Sequence, residues 1–416
     1  MREQAATKKS TYMVSRLGMH MSGRVWWNVR IDLVASIIFS LFNVVVNQFY
    51  IAFAIQHGAT HLQVGILSAA PAIGLLFSPI WASLIEKAKS PRLYVIIPNI
   101  VGRALMILPA FVAEPIVFVI VSLVYQILMG IQSPAYAALV SRMYPSNIRG
   151  RLMGYVRVAM GGLMIPLAFI VGSWAEVSGT SMPLIFAAVT GTLSISLFYL
   201  LRVPKQSDVK QHNLVRKTAK ISFSEQWQLV KTNRMLTIFL IATTFAGFGN
   251  MLAVPLYQIV QVDVLQLSNL YLGYARVAYY VALLIAFIIV GWMIDKLPIK
   301  YTLVIGILAY ALVPLIYSIW GNYSAVITGY MIQAIGDAIW DIGILAFVFR
   351  LLPGREAMVF GIHLLATGIR GSIGPLLGAS LTDSLPIPII LLIASACSVI
   401  GTLLFIWGNR GKNMLM

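Results

Sequence analysis

Long apolar runs alternate along the chain with short polar breaks. A bilayer core of roughly 30 Å takes about 20 apolar residues per helix. Runs of that length recur from Ile31 to Ile55, Gln63 to Ile85, Leu93 to Val112, Pro115 to Val140, Leu152 to Ala175 and Met182 to Leu201. After a polar stretch they resume from Leu236 to Val260, Leu270 to Ile294, Tyr301 to Ile319, Tyr323 to Phe349, Ala357 to Leu381 and Pro386 to Trp407. The pattern predicts an all-α integral membrane protein with twelve transmembrane helices in two six-helix pseudo-symmetric halves. The halves are residues 31–202 and 234–408. An N-terminal segment (1–30), a linker (203–233) and a tail (409–416) complete the expected organisation.

Composition excludes the soluble alternatives, because 59% hydrophobic and 10% charged residues cannot clothe a water-soluble globule of 416 residues. A net charge of +17 suggests nucleic acid in a soluble protein. Here the cations fill alternate loops instead: Lys8 to Arg30, Lys87 to Arg92, Arg142 to Arg151, Arg202 to Arg234, Lys296 to Lys300, Arg350 to Arg355, and Arg410 with Lys412. The remaining loops hold Glu114, Glu176, Asp263 and Asp383. The positive-inside rule therefore places both termini and the linker in the cytoplasm of a cell membrane, with the lipid bilayer rather than nucleic acid as partner. Residues 1–30 lack the apolar core and cleavage site of a secretory signal. A single Cys397 rules out an internal disulfide and a cysteine metal cluster. No phosphate loop, His-Glu-x-x-His motif or catalytic triad occurs, so neither a metal, a cofactor nor enzymatic turnover is expected, and uphill work falls to an ion gradient.

In the linker, Ser222 with Glu225 forms a capping box, and Phe223, Trp227 and Val230 recur at helical spacing. Both a short interfacial helix and a solvated tether fit that pattern. Shifting the chain by 207 to 209 residues places Asn43 on Asn250, Tyr50 on Tyr257, Gly65 on Gly273, Arg92 on Lys300, Arg142 on Arg350 and Pro145 on Pro353. One nearly constant offset across several loops and spans is the mark of a duplicated fold. The same shift sets Ala82, Glu86 and Lys87 on Gly291, Asp295 and Lys296.

Those last residues carry a resemblance to the major facilitator superfamily. Its signature Gly-x-x-x-Asp-Arg/Lys-x-Gly-Arg/Lys-Arg/Lys lies between spans two and three and recurs between spans eight and nine. The C-terminal copy keeps Gly291, Asp295 and Lys296 and departs at Pro298, whereas the N-terminal copy substitutes Ala82 and Glu86 and keeps Lys87 and Arg92. The resemblance implies a secondary transporter with a cytoplasmic latch at Glu86, Lys87, Gly291, Asp295 and Lys296, where an acid caps a neighbouring helix end. Plain positive-inside topology explains the basic residues equally. Other motifs of the family are degenerate: Gln126 stands near the place where drug-proton antiporters resemble one another in an arginine.

Polar residues inside spans are costly and tend to face a cavity or a partner. Ser36, Ser40, Asn43, Asn47 and Tyr50 share one face of span one, and Thr243, Gly247, Asn250 and Tyr257 repeat it on span seven. Gln126, Gly130 and Ser133 stripe span four, and Tyr330, Gln333, Asp337, Trp340 and Asp341 stripe span ten. The resemblance implies that spans one, four, seven and ten line the central cavity; helix–helix hydrogen bonding is the plainer account of such stripes. Asp337 and Asp341 lie four residues apart, and close carboxylates in a poorly solvated site repel, which suits a proton-coupling pair. The competing role is ion pairing with deep arginines, for which Arg103, Arg157, Arg276 and Arg370 are the candidates. His363, Thr367, Arg370 and Gly374 share a face of span eleven, which puts His363 and Arg370 beside the same cavity. An excess of deep arginine over deep acid favours a polar, anionic or zwitterionic small-molecule substrate with a proton or other cation as co-partner. The alternatives are an uncoupled facilitator or anion symporter, and a receptor or scaffold that keeps a transporter fold without turnover.

Overall fold

The computed structural model describes residues 13–77, 81, 85, 91–145, 147–203, 223–351 and 356–408. Among them, eleven helices are long and apolar enough to cross a membrane. In the first half these are α1 (Gly23–Gln56), α3 (Arg92–Ala110), α4 (Pro115–Met143), α5 (Arg149–Ser178) and α6 (Ser181–Leu200). The second half holds α7 (Arg234–Val264), α8 (Asn269–Lys296), α9 (Ile299–Ile319), α10 (Tyr323–Val348), α11 (Met358–Asp383) and α12 (Ile387–Gly408). A shorter apolar helix, α2 (His61–Leu76), completes the first group of six. Side chains such as Ile288, Trp292, Leu403 and Trp407 are exposed on the outer faces, where a soluble protein would carry charge.

Helix α1 begins at Gly23, inside the segment expected to precede the first span. A two-stranded antiparallel hairpin, β1 (Met13–Arg16) and β2 (Met19–Ser22), delivers the chain to it through a turn with Leu17 and Gly18 at positive φ. The Ser22 hydroxyl then accepts from the Val25 N–H at 3.4 Å as the helix cap. Asn28 closes this end of the half by bonding the backbone of Arg202 in both directions, at 3.1 and 2.8 Å. The linker forms a helix over Phe223–Thr232, on which Leu229 is buried and Trp227 is exposed beneath Lys231.

The apolar core shows how the halves are set. One cluster is shared by both halves and runs through Phe53, Phe118, Leu256 and Val326, away from the basic loops. On the side of the basic loops it gives way to two separate clusters, one around Val95 and Leu139 and one around Phe239 and Phe347. Polar ties between halves follow the shared core: Gln56 donates to Asn269 at 2.9 Å, the Leu270 N–H donates to Glu176 at 3.3 Å, and His61 meets Thr382 at 2.8 Å and Asp263 at 3.7 Å. The halves are thus closed at the acidic-loop end and parted at the basic-loop end. Two repeat-related glycines make the closed seam. A Cβ on Gly65 of α2 would stand 2.6 Å from Cβ of Ala379 on α11, and one on Gly273 of α8 would stand 3.0 Å from the Ala168 carbonyl of α5.

Candidate functional site

Helix α10 changes its winding at the acid pair. Residues Ile339–Gly343 form a π-helical turn, which fits one extra residue into the turn and tends to mark functional segments. Asp337 precedes it and Asp341 lies within it, so the two carboxylates have different surroundings. Asp337 is partly buried and accepts from Tyr279 of α8 at 2.9 Å, Tyr310 of α9 at 2.9 Å, and Gln333 one turn earlier at 3.0 Å. Asp341 is exposed.

The deep arginines find their partners away from these acids, although Nε of Arg103, Arg276 and Arg370 is buried without a described acceptor. Arg370 donates to the Thr243 carbonyl at 2.7 Å and to the Thr367 hydroxyl at 2.8 Å, and its guanidinium lies over the Trp340 ring at 5.0 Å. Gly247 makes that seat available, since a Cβ there would stand 2.5 Å from Nε of Arg370. Arg276 donates to Gln258 at 3.0 Å and lies over Tyr330 at 4.4 Å. Arg103 donates to the Gly191 carbonyl and the Ser194 hydroxyl at 2.8 and 2.7 Å, with its guanidinium 4.3 Å from the Phe39 ring centre. Neutral acceptors and aromatic faces offset the desolvation of each guanidinium, and each such contact is worth roughly 0.5–2 kcal/mol. Among the described residues, no lysine or arginine forms an ion pair with Asp337 or Asp341.

The first half holds a chamber of about 360 Å3 whose wall includes Asp32, Ser36, Arg103, Gln132, Tyr136 and Arg157 beside the apolar Phe39, Met129, Met153, Met160 and Phe198. Asp32 is 2% exposed and accepts from Tyr144 of α4 at 2.8 Å. Arg157 of α5 is exposed and stands in the same chamber wall as Asp32.

This arrangement, two six-helix groups closed at one end around polar groups in the middle, has a counterpart in sequence. The profile of the Major Facilitator Superfamily matches residues 33–267 and again 239–414. The chain belongs to the major facilitator superfamily. Its fold is similar to that of the nucleoside transporter NupG, with a TM-score of 0.74 at 14% identity over 93% of this chain and 100% of that one. A D-xylose-proton symporter is similar at TM-score 0.68 and 13% identity, over 93% and 98% of the two chains. A bacterial homologue of the human lysosomal transporter Spinster, solved inward-facing and occupied, gives 0.67 at 11%, over 93% and 97%. No curated protein matches the sequence closely enough to count as a relative. Membership makes this chain a multi-pass membrane transporter and not an enzyme.

Within the facilitator fold, several stripe residues face elsewhere than their spacing suggests. Tyr50 is 2% exposed and donates to the Phe118 carbonyl of α4 at 3.0 Å, so it is a core residue of the first half. The π-turn Val45–Phe49 explains this: it inserts a residue between Asn47 and Tyr50 and rotates the latter off the polar face. Asn43 and Asn47 stay together and bond each other. On α7, Tyr257 is buried against Tyr317 at 4.7 Å, and Asn250 is buried, with its side-chain oxygen free of any described partner. Gln126 sits where α4 crosses α2, its backbone carbonyl against the position a Cβ on Gly74 would take, which makes this part of α4 a packing face. His363 is 2% exposed among Phe239, Trp340 and Phe360, a ring stack and not a solvent-facing group. Of the latch residues, Glu86 and Lys87 lie outside the described residues. Asp295 and Lys296 are exposed at the end of α8, past Gly291, where Arg350, just past the end of α10, donates to the Ile294 carbonyl at 3.1 Å.

Sequence reasoning passed over Asp32, Tyr279 and Tyr310. For Asp32 a signal existed: an acid among cations at the head of an apolar run is out of place under the charge rule. The tyrosines had none, because α8 and α9 carry no polar stripe.

Proposed function

We propose that this transporter is a secondary active carrier of a small polar, anionic or zwitterionic solute, working by alternating access and coupled to protons through α10. The basic loops assign the parted end to the cytoplasm, with both termini on that side of the cell membrane. The observation that carries the coupling is the setting of Asp337. All three of its partners are uncharged donors. A carboxylate held this way can be protonated and released without leaving a buried guanidinium unpaired, a loss that typically costs about 3–5 kcal/mol. Asp341, one π-turn further and exposed, offers the proton a stepping point toward the open side. The NupG and xylose-proton symporter folds support the reading as neighbours of the same architecture.

The test is flux into liposomes carrying the purified protein, with solutes of each polarity and an imposed inward proton gradient. Accumulation above equilibrium that collapses on adding an uncoupler is expected. Uptake that is equal with and without the gradient overturns the coupling and favours the facilitator or anion-symporter reading, for which the arginines without acid partners speak.

A further inference from the structure

The chamber of the first half holds two charged groups of opposite sign that the coupling does not use. Asp32 is buried, and only its Oδ2 is engaged by a described side chain, the Tyr144 hydroxyl. Arg157 stands on the same wall, exposed, and makes no hydrogen bond or ion pair with a described residue. The third charge there, Arg103, is turned to its own half, one terminal nitrogen donating to both Gly191 and Ser194, and its Nε is buried. The chamber therefore presents one unfilled acceptor and one unfilled donor fork, beside an apolar wall of Phe39, Met129, Met153 and Phe198.

A simple anion would meet Arg157 but also the Asp32 charge, and a simple cation would meet Asp32 but also Arg157 and Arg103. Only a solute bearing both signs matches the buried Asp32 and also pairs with Arg157. A planar guanidinium holds a carboxylate with two parallel hydrogen bonds, and a buried carboxylate accepts from an ammonium. About 360 Å3 is at the small end of ligand sites, and the sulfur and phenyl wall suits a compact apolar body. We propose that this chamber is the solute subsite and that its ligand is a zwitterion of amino-acid type with an apolar side chain, its ammonium on Asp32 and its carboxylate on Arg157. The proposal rests on the carrier reading and names the substrate class of that carrier.

The experiment measures binding to the full chain in lipid nanodiscs by thermal stabilisation. The probes are leucine and phenylalanine, their matched amines (isoamylamine, phenethylamine), their matched acids (4-methylvalerate, 3-phenylpropionate), and uridine and xylose as uncharged solutes. A zwitterion should bind about tenfold or more tightly than either singly charged partner, one charge-assisted contact being lost each time. Asp32→Asn should close the gap between zwitterion and acid, and Arg157→Gln the gap between zwitterion and amine. A merely structural role would move neither ratio. Arg157 is exposed, so its variant folds even if that of Asp32 does not. The proposal is overturned if no zwitterion stabilises the protein, or if Arg157→Gln leaves the zwitterion-to-amine ratio within about twofold of wild type. Liposome flux separates the two layers. A zwitterion that binds but is not moved counts against the carrier reading alone, and an uncharged solute accumulated while zwitterions are ignored counts against this assignment alone.

Discussion

Each half carries one acid held by tyrosine inside a span, buried in the first half and partly buried in the second, and the two differ in company. Asp32 in the first half has a single hydroxyl donor, Tyr144, and shares an open chamber with the Arg157 guanidinium. Asp337 in the second half has three neutral donors and no cation in contact. The halves are repeats, yet the acids are not repeat partners. The position matching Asp337 is Met129, which forms part of the chamber wall. Duplication supplied the frame, and the two halves then placed their charges differently. A carboxylate facing a free guanidinium is built to share a charged ligand, whereas one caged by hydroxyls and an amide is built to change its own protonation.

The sharpest way to break this contrast is Asp337→Asn, which preserves shape and removes the titrating group. Gradient-driven accumulation should fall to the equilibrium level, a loss of well over tenfold, as read by radiolabelled uptake into liposomes. Removal of single donors comes next. Tyr310→Phe and Tyr279→Phe each delete one hydrogen bond to a carboxylate, worth about 1.5–3 kcal/mol, and should slow proton-driven uptake by about tenfold or more. Tyr144→Phe deletes the corresponding bond in the first half and should instead weaken solute binding while the uphill ratio stays unchanged, as measured by equilibrium binding beside flux. Asp341→Asn should have a smaller effect, a few-fold in rate, because that carboxylate is exposed and solvent can replace it as a relay. The smallest effect belongs to His363→Phe. The ring stacks among three aromatic neighbours, so transport should be retained and stability should change by about 1 kcal/mol or less, as followed by thermal unfolding.

The architecture was legible because it rests on long-range regularities: the apolar runs, the alternation of basic loops and the constant offset. The Gly65 and Gly273 match, read first only as a landmark of the repeat, turns out to lie at the two seams where the halves meet. The site was legible only in part, because helical spacing assumes 3.6 residues per turn and the helices that matter break that rule. A π-turn in α1 takes Tyr50 off the face that Asn43 and Asn47 occupy, and a π-turn in α10 gives Asp337 and Asp341 different surroundings. The partners of Arg103 and Arg370 were hidden for another reason. Each guanidinium bonds backbone carbonyls, Gly191 and Thr243, that no side-chain pattern announces. Asp32 escaped notice because it stands beside Arg30 at the head of the first run, where a charge reads as solvated; α1 begins at Gly23 and carries it, buried, onto Tyr144.

The central claim is that protonation belongs to the second half and solute recognition to the first. Solute counterflow, which needs binding and alternation but no net proton movement, tests it in the Asp337→Asn protein beside gradient-driven uptake. Counterflow close to wild type with gradient-driven accumulation abolished is the result expected. Accumulation that survives in Asp337→Asn, or counterflow lost together with it, would contradict the account.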